Sequence, residues 1–197
     1  MELSPKNIKM WSKIGTRATY GLAVMDLALK REKLLVLTSD TSTSAGLDRF
    51  KKKFPNRYFD LGIAEQNTLG VAAGLASEGF IVFASTFAPF QTMRCMEQIK
   101  VNLAYMRTPV NITGLASGVA LGHLGYTHCC IEDIAIMRSL PNMVVLSPAD
   151  SIETAKAVYA SADINSPVYI RLTGDNSSAN IYTEDYNFQI GKSIKLI

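Results

Sequence analysis

The chain is poor in cysteine, in net charge and in long apolar runs. Its three cysteines, Cys95, Cys129 and Cys130, form neither an even set nor a Cys-x-x-Cys pair. We therefore expect no disulfide framework. The cysteines are expected to be reduced thiols of a cytoplasmic protein. A metal site built from His128, Cys129 and Cys130 is disfavoured, because neighbouring residues rarely point at one ion. We expect no metal ligands in this chain.

The low charge and the lack of long apolar runs exclude further classes of partner. The net charge of the 197 residues is +3, and no basic run is longer than Lys51-Lys52-Lys53, so nucleic-acid binding is not indicated. No stretch is long enough to span a membrane, and residues 1–12 are too polar for a signal peptide. A hydrophobic content of 48% with 19% charged residues is typical of a globular protein with its own core.

Strand-like and helix-like segments alternate along the chain. Apolar runs typical of buried strands lie at residues 33–38, 58–61, 80–84, 109–113, 142–146 and 167–172. Helical spacing of apolar or small residues lies at 16–32, 65–78, 90–105, 131–139 and 151–162, and a glycine-bearing loop at 114–126. The alternation predicts an α/β, three-layer fold with a mostly parallel sheet of about six strands.

Polar and aromatic side chains follow the ends of the predicted strands. Asp40 follows the first strand, Glu65 lies at a surface turn after the second, Phe87 and Phe90 follow the third, and His128 lies in the loop after the fourth. Ligands of open parallel sheets bind outside the carboxyl ends of the strands, so we expect these residues to share one site. Taken singly, each also has an ordinary explanation as a turn cap, a first-turn acid or a packing residue.

Several motifs in this order and spacing resemble the pyrimidine-binding (central) domain of the transketolase family. They are Gly62-Ile63-Ala64-Glu65-Gln66-Asn67, Ser85-Thr86-Phe87-Ala88-Pro89-Phe90, Gly125-Tyr126-Thr127-His128 and, later, Leu140-Pro141-Asn142-Met143-Val144-Val145 with Pro148-Ala149-Asp150. The resemblance covers residues 14–173 and leaves a lead-in at 1–13. A tail at 174–197 leads toward an absent C-terminal domain, and its alternation at 191–197 predicts the start of another strand.

The resemblance implies that thiamine diphosphate is the cofactor. Glu65 matches the catalytic glutamate whose carboxylic acid meets the aminopyrimidine ring and so helps to activate the cofactor. His128 matches a catalytic histidine that contacts cofactor or substrate. Phe87 and Phe90 match residues that line the pyrimidine pocket. This cofactor-binding set is completed by two further matches, Ile63 and Asp40, the latter reaching the cofactor of a neighbouring protomer.

The substrate half of the site departs from the family pattern. Arg17 and Ser44 match positions that contact a substrate phosphate. However, Leu124 replaces an acid that meets a sugar hydroxyl, Ala116 replaces a substrate-facing histidine, and Gly174 stands where a phosphate-binding arginine is expected. Because hydroxyl-binding groups discriminate strongly between substrates, their loss is expected to change what the pocket accepts. The donor and acceptor therefore stay open.

The family's Gly-Asp-Gly … Asn motif, which holds magnesium and the diphosphate, occurs nowhere in the chain. The resemblance then implies a separately encoded C-terminal transketolase subunit. We expect it to pair with its own copy through the helix at 65–78 and with a diphosphate-binding subunit that carries the missing motif. Magnesium would be held by that partner.

The function implied is transfer of a two-carbon ketol unit between a ketose-like donor and an aldehyde acceptor. Thr127-His128, followed by Glu132-Asp133-Ile134-Ala135 and Arg138, favours a transketolase. Relatives of deoxyxylulose-phosphate synthase, or of the beta subunit of a 2-oxoacid dehydrogenase, are the enzymatic alternatives. A non-catalytic dimerisation module is the alternative outside enzymes; Leu124 and Ala116 leave it open.

Overall fold

One parallel sheet organises the computed structural model, which describes residues 4–11, 13–174, 181–182 and 185–194. Its strands are β1 (Leu34–Thr38), β2 (Tyr58–Asp60), β3 (Ile81–Phe87), β4 (Val110–Ser117), β5 (Val144–Leu146) and β6 (Val168–Thr173). Its α-helices are α1 (Pro5–Trp11), α2 (Gly15–Lys30), α3 (Asp48–Lys53), α4 (Glu65–Ser77), α5 (Ala88–Thr92), α6 (Met96–Gln98), α7 (Asp133–Arg138) and α8 (Ser151–Ser161). A π-helix (Ile99–Tyr105) and 3-10 turns at Pro55–Arg57, Gly122–Leu124 and Tyr126–His128 complete the elements.

The strand order is β2-β1-β3-β4-β6-β5, and every neighbouring pair is parallel. The predicted parallel sheet is confirmed, and its six strands match the six apolar runs of the sequence. Because all strands point the same way, their carboxyl ends form a single edge. Among the described residues, no helix combines the length and hydropathy needed to cross a bilayer.

Alternate residues of the strands face two different helical layers, which confirms the three-layer fold. Leu34 and Val36 pack with α2, α3 and α8 on one face of the sheet. Leu35 and Leu37 pack with α4, the π-helix and α7 on the other. This two-residue period is the geometry of a strand buried on both sides, and it explains why the strands read as continuous apolar runs.

The helix expected at 90–105 and the loop expected from residue 114 were given wrong boundaries. The helix expected at 90–105 is broken by a turn at 93–95 and continues as α6 and the π-helix. The loop expected from residue 114 begins later, because β4 runs on to Ser117. Glycine at residue 114 leaves room for Tyr169, since a Cβ there would lie 2.4 Å from the Tyr169 hydroxyl oxygen and would require the ring to move. The strand expected at 191–197 does not begin within 191–194, and 195–197 lie outside the described residues.

Two glycines let α2 lie directly against the loop after β1. A Cβ on Gly21 would lie 2.0 Å from the Gly46 carbonyl oxygen, and a Cβ on Gly46 would lie 2.9 Å from the Cα of Ala18. Gly46 also has a left-handed φ of +68°, which side chains rarely adopt. This close approach brings Arg17 beside Ser44 at the carboxyl edge of the sheet.

Candidate active site

The loops after β1 and β2 are fixed together by one carboxylate. Asp60 Oδ1 accepts hydrogen bonds from the backbone N–H of Asp40 at 2.9 Å and of Gly62 at 3.0 Å. Asp40 has a left-handed φ of 55° and an exposed side chain at this edge. Ile63, 76% exposed, stands in the loop that leads into α4. Both predicted residues thus lie at the rim, and Asp60, which sequence reasoning missed, positions them.

Phe87, Phe90 and His128 form a compact aromatic group. The two phenylalanine ring centroids lie 6.3 Å apart, and the His128 ring lies 5.9 Å from Phe87 and 5.3 Å from Phe90. All three contacts are edge-to-face, a favourable arrangement for aromatic rings. His128 Nδ1 is 3.0 Å from the Thr127 hydroxyl, which helps to orient the imidazole. The end of β3, the helix α5 and the 3-10 turn at Tyr126–His128 thus bring together three residues that were all chosen from the sequence.

Glu65 is buried rather than placed at an exposed turn, so the expectation of a surface carboxylate was wrong. Its side chain is 5% exposed, and its Oε1 accepts a hydrogen bond from Arg94 Nη1 at 2.9 Å. The Arg94 side chain is 43% exposed, so the pair lies where the protein interior meets the site. A buried carboxylate held by a charge-assisted hydrogen bond has a fixed position, as a group that meets a ligand atom requires.

Arg94 joins the carboxylate to the aromatic group. Its guanidinium carbon lies 4.1 Å from the centroid of the Phe90 ring, and its backbone carbonyl accepts a hydrogen bond from Gln66 Nε2 at 3.0 Å. Sequence reasoning missed Arg94 because the uninterrupted helix expected there gave no reason to single it out. The turn at 93–95 brings this side chain to Glu65.

Arg17 and Ser44, the two predicted phosphate contacts, are neighbours in the structure. Arg17 Nη1 donates a hydrogen bond to the Ser44 carbonyl oxygen at 3.5 Å, although the residues are separated by 27 positions. The carbonyl, rather than the hydroxyl, receives this contact. The serine side chain is thus not used by Arg17, and both groups lie at the edge of the sheet that carries the aromatic group.

The structure leaves little room for a large side chain at residue 174, where the sequence comparison expected an arginine. A Cβ on Gly174 would lie 2.6 Å from the Ala120 Cβ and 3.3 Å from the Ala116 Cβ, so an arginine at 174 requires the chain to shift. Ala116 is buried and has a left-handed φ of 52°, whereas Leu124 is 49% exposed. Two of the departures noted in the sequence, Ala116 and Gly174, therefore meet at a tightly packed, non-polar junction between the ends of β4 and β6.

Arg171 forms an ion pair with a buried acid and so does not replace the arginine that was expected at residue 174. Its Nε donates to Asp133 Oδ2 at 2.9 Å, and the Tyr169 hydroxyl donates to the same oxygen at 2.8 Å. Burial, followed by the nearby Asp133 charge, raises the pKa of Tyr169 well above its ordinary value. The tyrosine is therefore a neutral donor, and the three residues form a structural network at the end of β6.

The described residues contain no group of three or more His, Cys, Asp and Glu side chains that could hold a metal ion. The cysteines are free. Burial, with a smaller contribution from Glu65, raises the pKa of Cys95 to about 12, and burial also raises the pKa of Cys130. Both thiols are thus packing groups rather than nucleophiles at neutral pH.

Fold and site together define an α/β domain that presents a buried carboxylate and an aromatic cradle at the carboxyl edge of a parallel sheet. The model of the family described as transketolase, pyrimidine binding domain, matches residues 12–178. The chain belongs to this family.

Relatives and a solved structure agree with this assignment. The chain is 42% identical over 185 residues to a protein of Methanocaldococcus jannaschii described as a transketolase C-terminal section, covering 93% of this chain and 58% of that protein. It is 37% identical over 185 residues to one of the subunits of the apulose-4-phosphate transketolase of Phocaeicola vulgatus, covering 93% and 59%. A solved structure, described as a split gene transketolase in an inactive beta4 tetramer, superposes with a TM-score of 0.81 at 42% identity, covering 91% of this chain and 57% of that one. The chain thus spans a little over half the length of these relatives.

Proposed function

We propose that this chain supplies the pyrimidine half of a thiamine-diphosphate site in a cytoplasmic transketolase-like transferase. The observation that carries the proposal is the buried Glu65, held by Arg94 beside the ring cluster of Phe87, Phe90 and His128. A flat, partly polar heterocycle needs both an aromatic surface and a fixed carboxyl group, and these residues offer both. Family membership supports the choice of thiamine diphosphate as that heterocycle.

Each residue would act on the bound cofactor in a different way. Thiamine diphosphate, when bound, supplies a carbon nucleophile. Phe87 and Phe90 would bind its pyrimidine ring by stacking and exclude water, with Ile63 covering the rim. Glu65 would hold a proton at a ring nitrogen, and Arg94 would orient that carboxyl group. His128 would donate to, or accept from, the reacting substrate, because its ring borders the cradle.

The diphosphate and its magnesium ion would be bound by another polypeptide or domain with the Gly-Asp-Gly … Asn motif. Two relatives support an enzyme that is encoded as two chains. One is described as a C-terminal section, and the other as one subunit of its enzyme. The reaction proposed is transfer of a two-carbon ketol unit from a ketose-like donor to an aldehyde acceptor. The buried carboxylate and intact aromatic cradle disfavour a purely structural dimerisation module.

Reconstitution tests the proposed reaction. We expect the chain with the motif-bearing partner, thiamine diphosphate and magnesium to transfer a ketol unit, and either protein alone to be inactive. The measurement is product formation across a panel of ketose donors and aldehyde acceptors. The small, non-polar junction around Gly174 predicts poor use of substrates whose phosphate must reach that point. A reconstituted complex that is inactive with every donor would contradict the transferase, and transfer of an acyl unit from a 2-oxoacid would favour the dehydrogenase alternative.

Self-association is proposed through the exposed face of α4. Gly70 and Gly74 are exposed, and a Cβ on either would meet no described atom within 4 Å beyond the neighbouring backbone of its own helix. They therefore do not serve close packing within the chain's own core, which was the alternative explanation. Ser77 shares this exposure, whereas Ala73, expected on the same face, is buried in the core. The small-residue face is open to a second copy.

A leucine on that face separates the two explanations. Gly74→Leu is expected to weaken self-association, because the added side chain prevents close approach, while helix propensity improves by about 0.8 kcal/mol. Sedimentation velocity over a wide concentration range measures the change. Lys52→Leu, at an exposed position of α3, is the matched control and should associate like the parent. A parent chain that stays monomeric at high concentration would refute the interface.

A further inference from the structure

A cavity lies at the opposite edge of the sheet from the candidate active site. Its volume is about 430 Å³, within the range of small-molecule sites. Its lining includes Lys100, Tyr105, Arg107, Leu140, Pro141 and Asn142. Arg107 precedes β4 and Asn142 precedes β5, so this pocket lies at the amino ends of the strands. The aromatic cradle lies at their carboxyl ends, and the two sites are therefore separate.

The charged side chains that line this pocket are all positive. Lys100 and Arg107 are both exposed, and within the described part of the chain neither forms an ion pair with a carboxylate. No Asp or Glu is among the described residues that line it. Two cations at the rim of one concavity raise the local concentration of anions. A phosphate group is the ligand chemistry that a lysine and an arginine recognise together.

The rest of the lining is suited to a flat or apolar body. Leu140, Pro141 and Ala104 form apolar walls. Tyr105 is 82% exposed, so its ring is available for stacking. A bare inorganic ion would leave these surfaces unused. The pocket therefore favours an organic phosphate over a free one.

The backbone around the pocket is unusual in two independent ways. Lys100 and Tyr105 lie on the π-helix, a rare element that is frequent at functional sites. Arg107 and Asn142 have left-handed φ values of 55° and 67°. The position of Arg107, just after a helix end, is one that glycine usually occupies, so the charged side chain is kept at a conformational cost. Elsewhere among the described non-glycine residues, a positive φ occurs at Asp40 and Ala116, both at the active-site edge.

The two walls of the pocket are joined by a hydrogen bond. Asn142 Nδ2 donates to the Ala104 carbonyl oxygen at 3.0 Å, which links the loop before β5 to the π-helix. The π-helix that carries Lys100 and Tyr105 is therefore held against the loop that carries Leu140 and Pro141. Such a preformed shape reduces the ordering that a ligand must impose on binding.

We propose that this pocket binds a small phosphate ester with a planar ring, of the nucleoside monophosphate class. Lys100 and Arg107 bind the phosphate, and Tyr105 stacks on the ring. This binding site is independent of the cofactor site and of the reaction proposed above.

Calorimetric titration with adenosine monophosphate tests the site in the full protein together with its partner subunit. The double variant Lys100→Gln/Arg107→Asn is expected to weaken binding by at least about tenfold, because each charge-assisted hydrogen bond contributes that much or more. Asparagine tolerates the left-handed backbone at 107, so this variant keeps the fold. Tyr105→Ala is expected to weaken binding of the nucleotide more than binding of inorganic phosphate.

Matched controls separate this pocket from the rest of the surface. Lys52→Gln removes an exposed lysine elsewhere, and Arg17→Gln removes a cation at the active-site edge; both should bind the nucleotide like the parent. Adenosine is expected to bind more weakly than its monophosphate, and ribose 5-phosphate more weakly as well. The proposal is overturned if the monophosphate does not bind at millimolar concentration, if the double variant binds like the parent, or if removing either phosphate or ring has no effect.

Discussion

Glu65→Gln is expected to slow hydrogen–deuterium exchange at the reactive carbon of thiamine diphosphate by about 10²–10⁴-fold in the assembled enzyme. The amide keeps the shape and the contact with Arg94 but cannot hold the acid proton at the ring nitrogen. Cofactor affinity should change less, because Phe87 and Phe90 still provide the stacking surface. The measurement is proton exchange of the bound cofactor, with the partner subunit present.

The structure also sets the expected effect of this variant on folding. Glu65 is buried, but Arg94 is 43% exposed, so water screens the arginine that loses its charged partner. The loss in the free energy of unfolding should be about 1 kcal/mol. Glu78→Gln, at the exposed end of the same helix, is the control and should exchange like the parent. If Glu65→Gln also exchanges at the parent rate, Glu65 is a structural group and its catalytic role is wrong.

Asp133→Ala is expected to lower the free energy of unfolding by about 3–5 kcal/mol, because it leaves the charge of Arg171 without its partner. Asp133 is fully buried and the Arg171 side chain is 16% exposed, so water cannot replace the lost contact. The Tyr169 hydroxyl also loses its acceptor. Equilibrium unfolding in urea, followed by circular dichroism, measures the difference.

An exposed pair of the same chemistry provides the control for this result. Arg31 Nη2 and Asp163 Oδ1 lie 2.7 Å apart, with side chains 47% and 60% exposed. Asp163→Ala should therefore cost no more than about 1 kcal/mol. Equal losses for Asp133→Ala and Asp163→Ala would show that the buried network does not anchor β6.

The sequence predicted the sheet well because parallel strands buried on both faces are continuous apolar runs. It also identified Phe87, Phe90 and His128, because each was predicted to follow a strand end and the carboxyl ends of parallel strands share one edge. Their ring contacts confirm that these residues meet. The roles assigned to them on the cofactor stay predictions.

The contact between Glu65 and Arg94 could not be predicted in this way. The helical spacing of residues 90–105 continues through Arg94, and no pattern signals the turn at 93–95 that redirects its side chain. The burial of Glu65 could not be predicted either, because a first-turn carboxylate is usually exposed. The left-handed backbone at Ala116 is also invisible in the sequence, because alanine gives no sign of a positive φ. Each of these features depends on packing between distant segments.

Titration of thiamine diphosphate tests most directly whether this chain is one half of a cofactor site. Isothermal calorimetry with magnesium should show weak binding to the chain alone, because the diphosphate and metal motif is absent from its sequence. Addition of the partner with Gly-Asp-Gly … Asn should produce tight binding and turnover, and Phe90→Ala should weaken that binding. Micromolar binding and measurable turnover by the isolated chain would contradict the account.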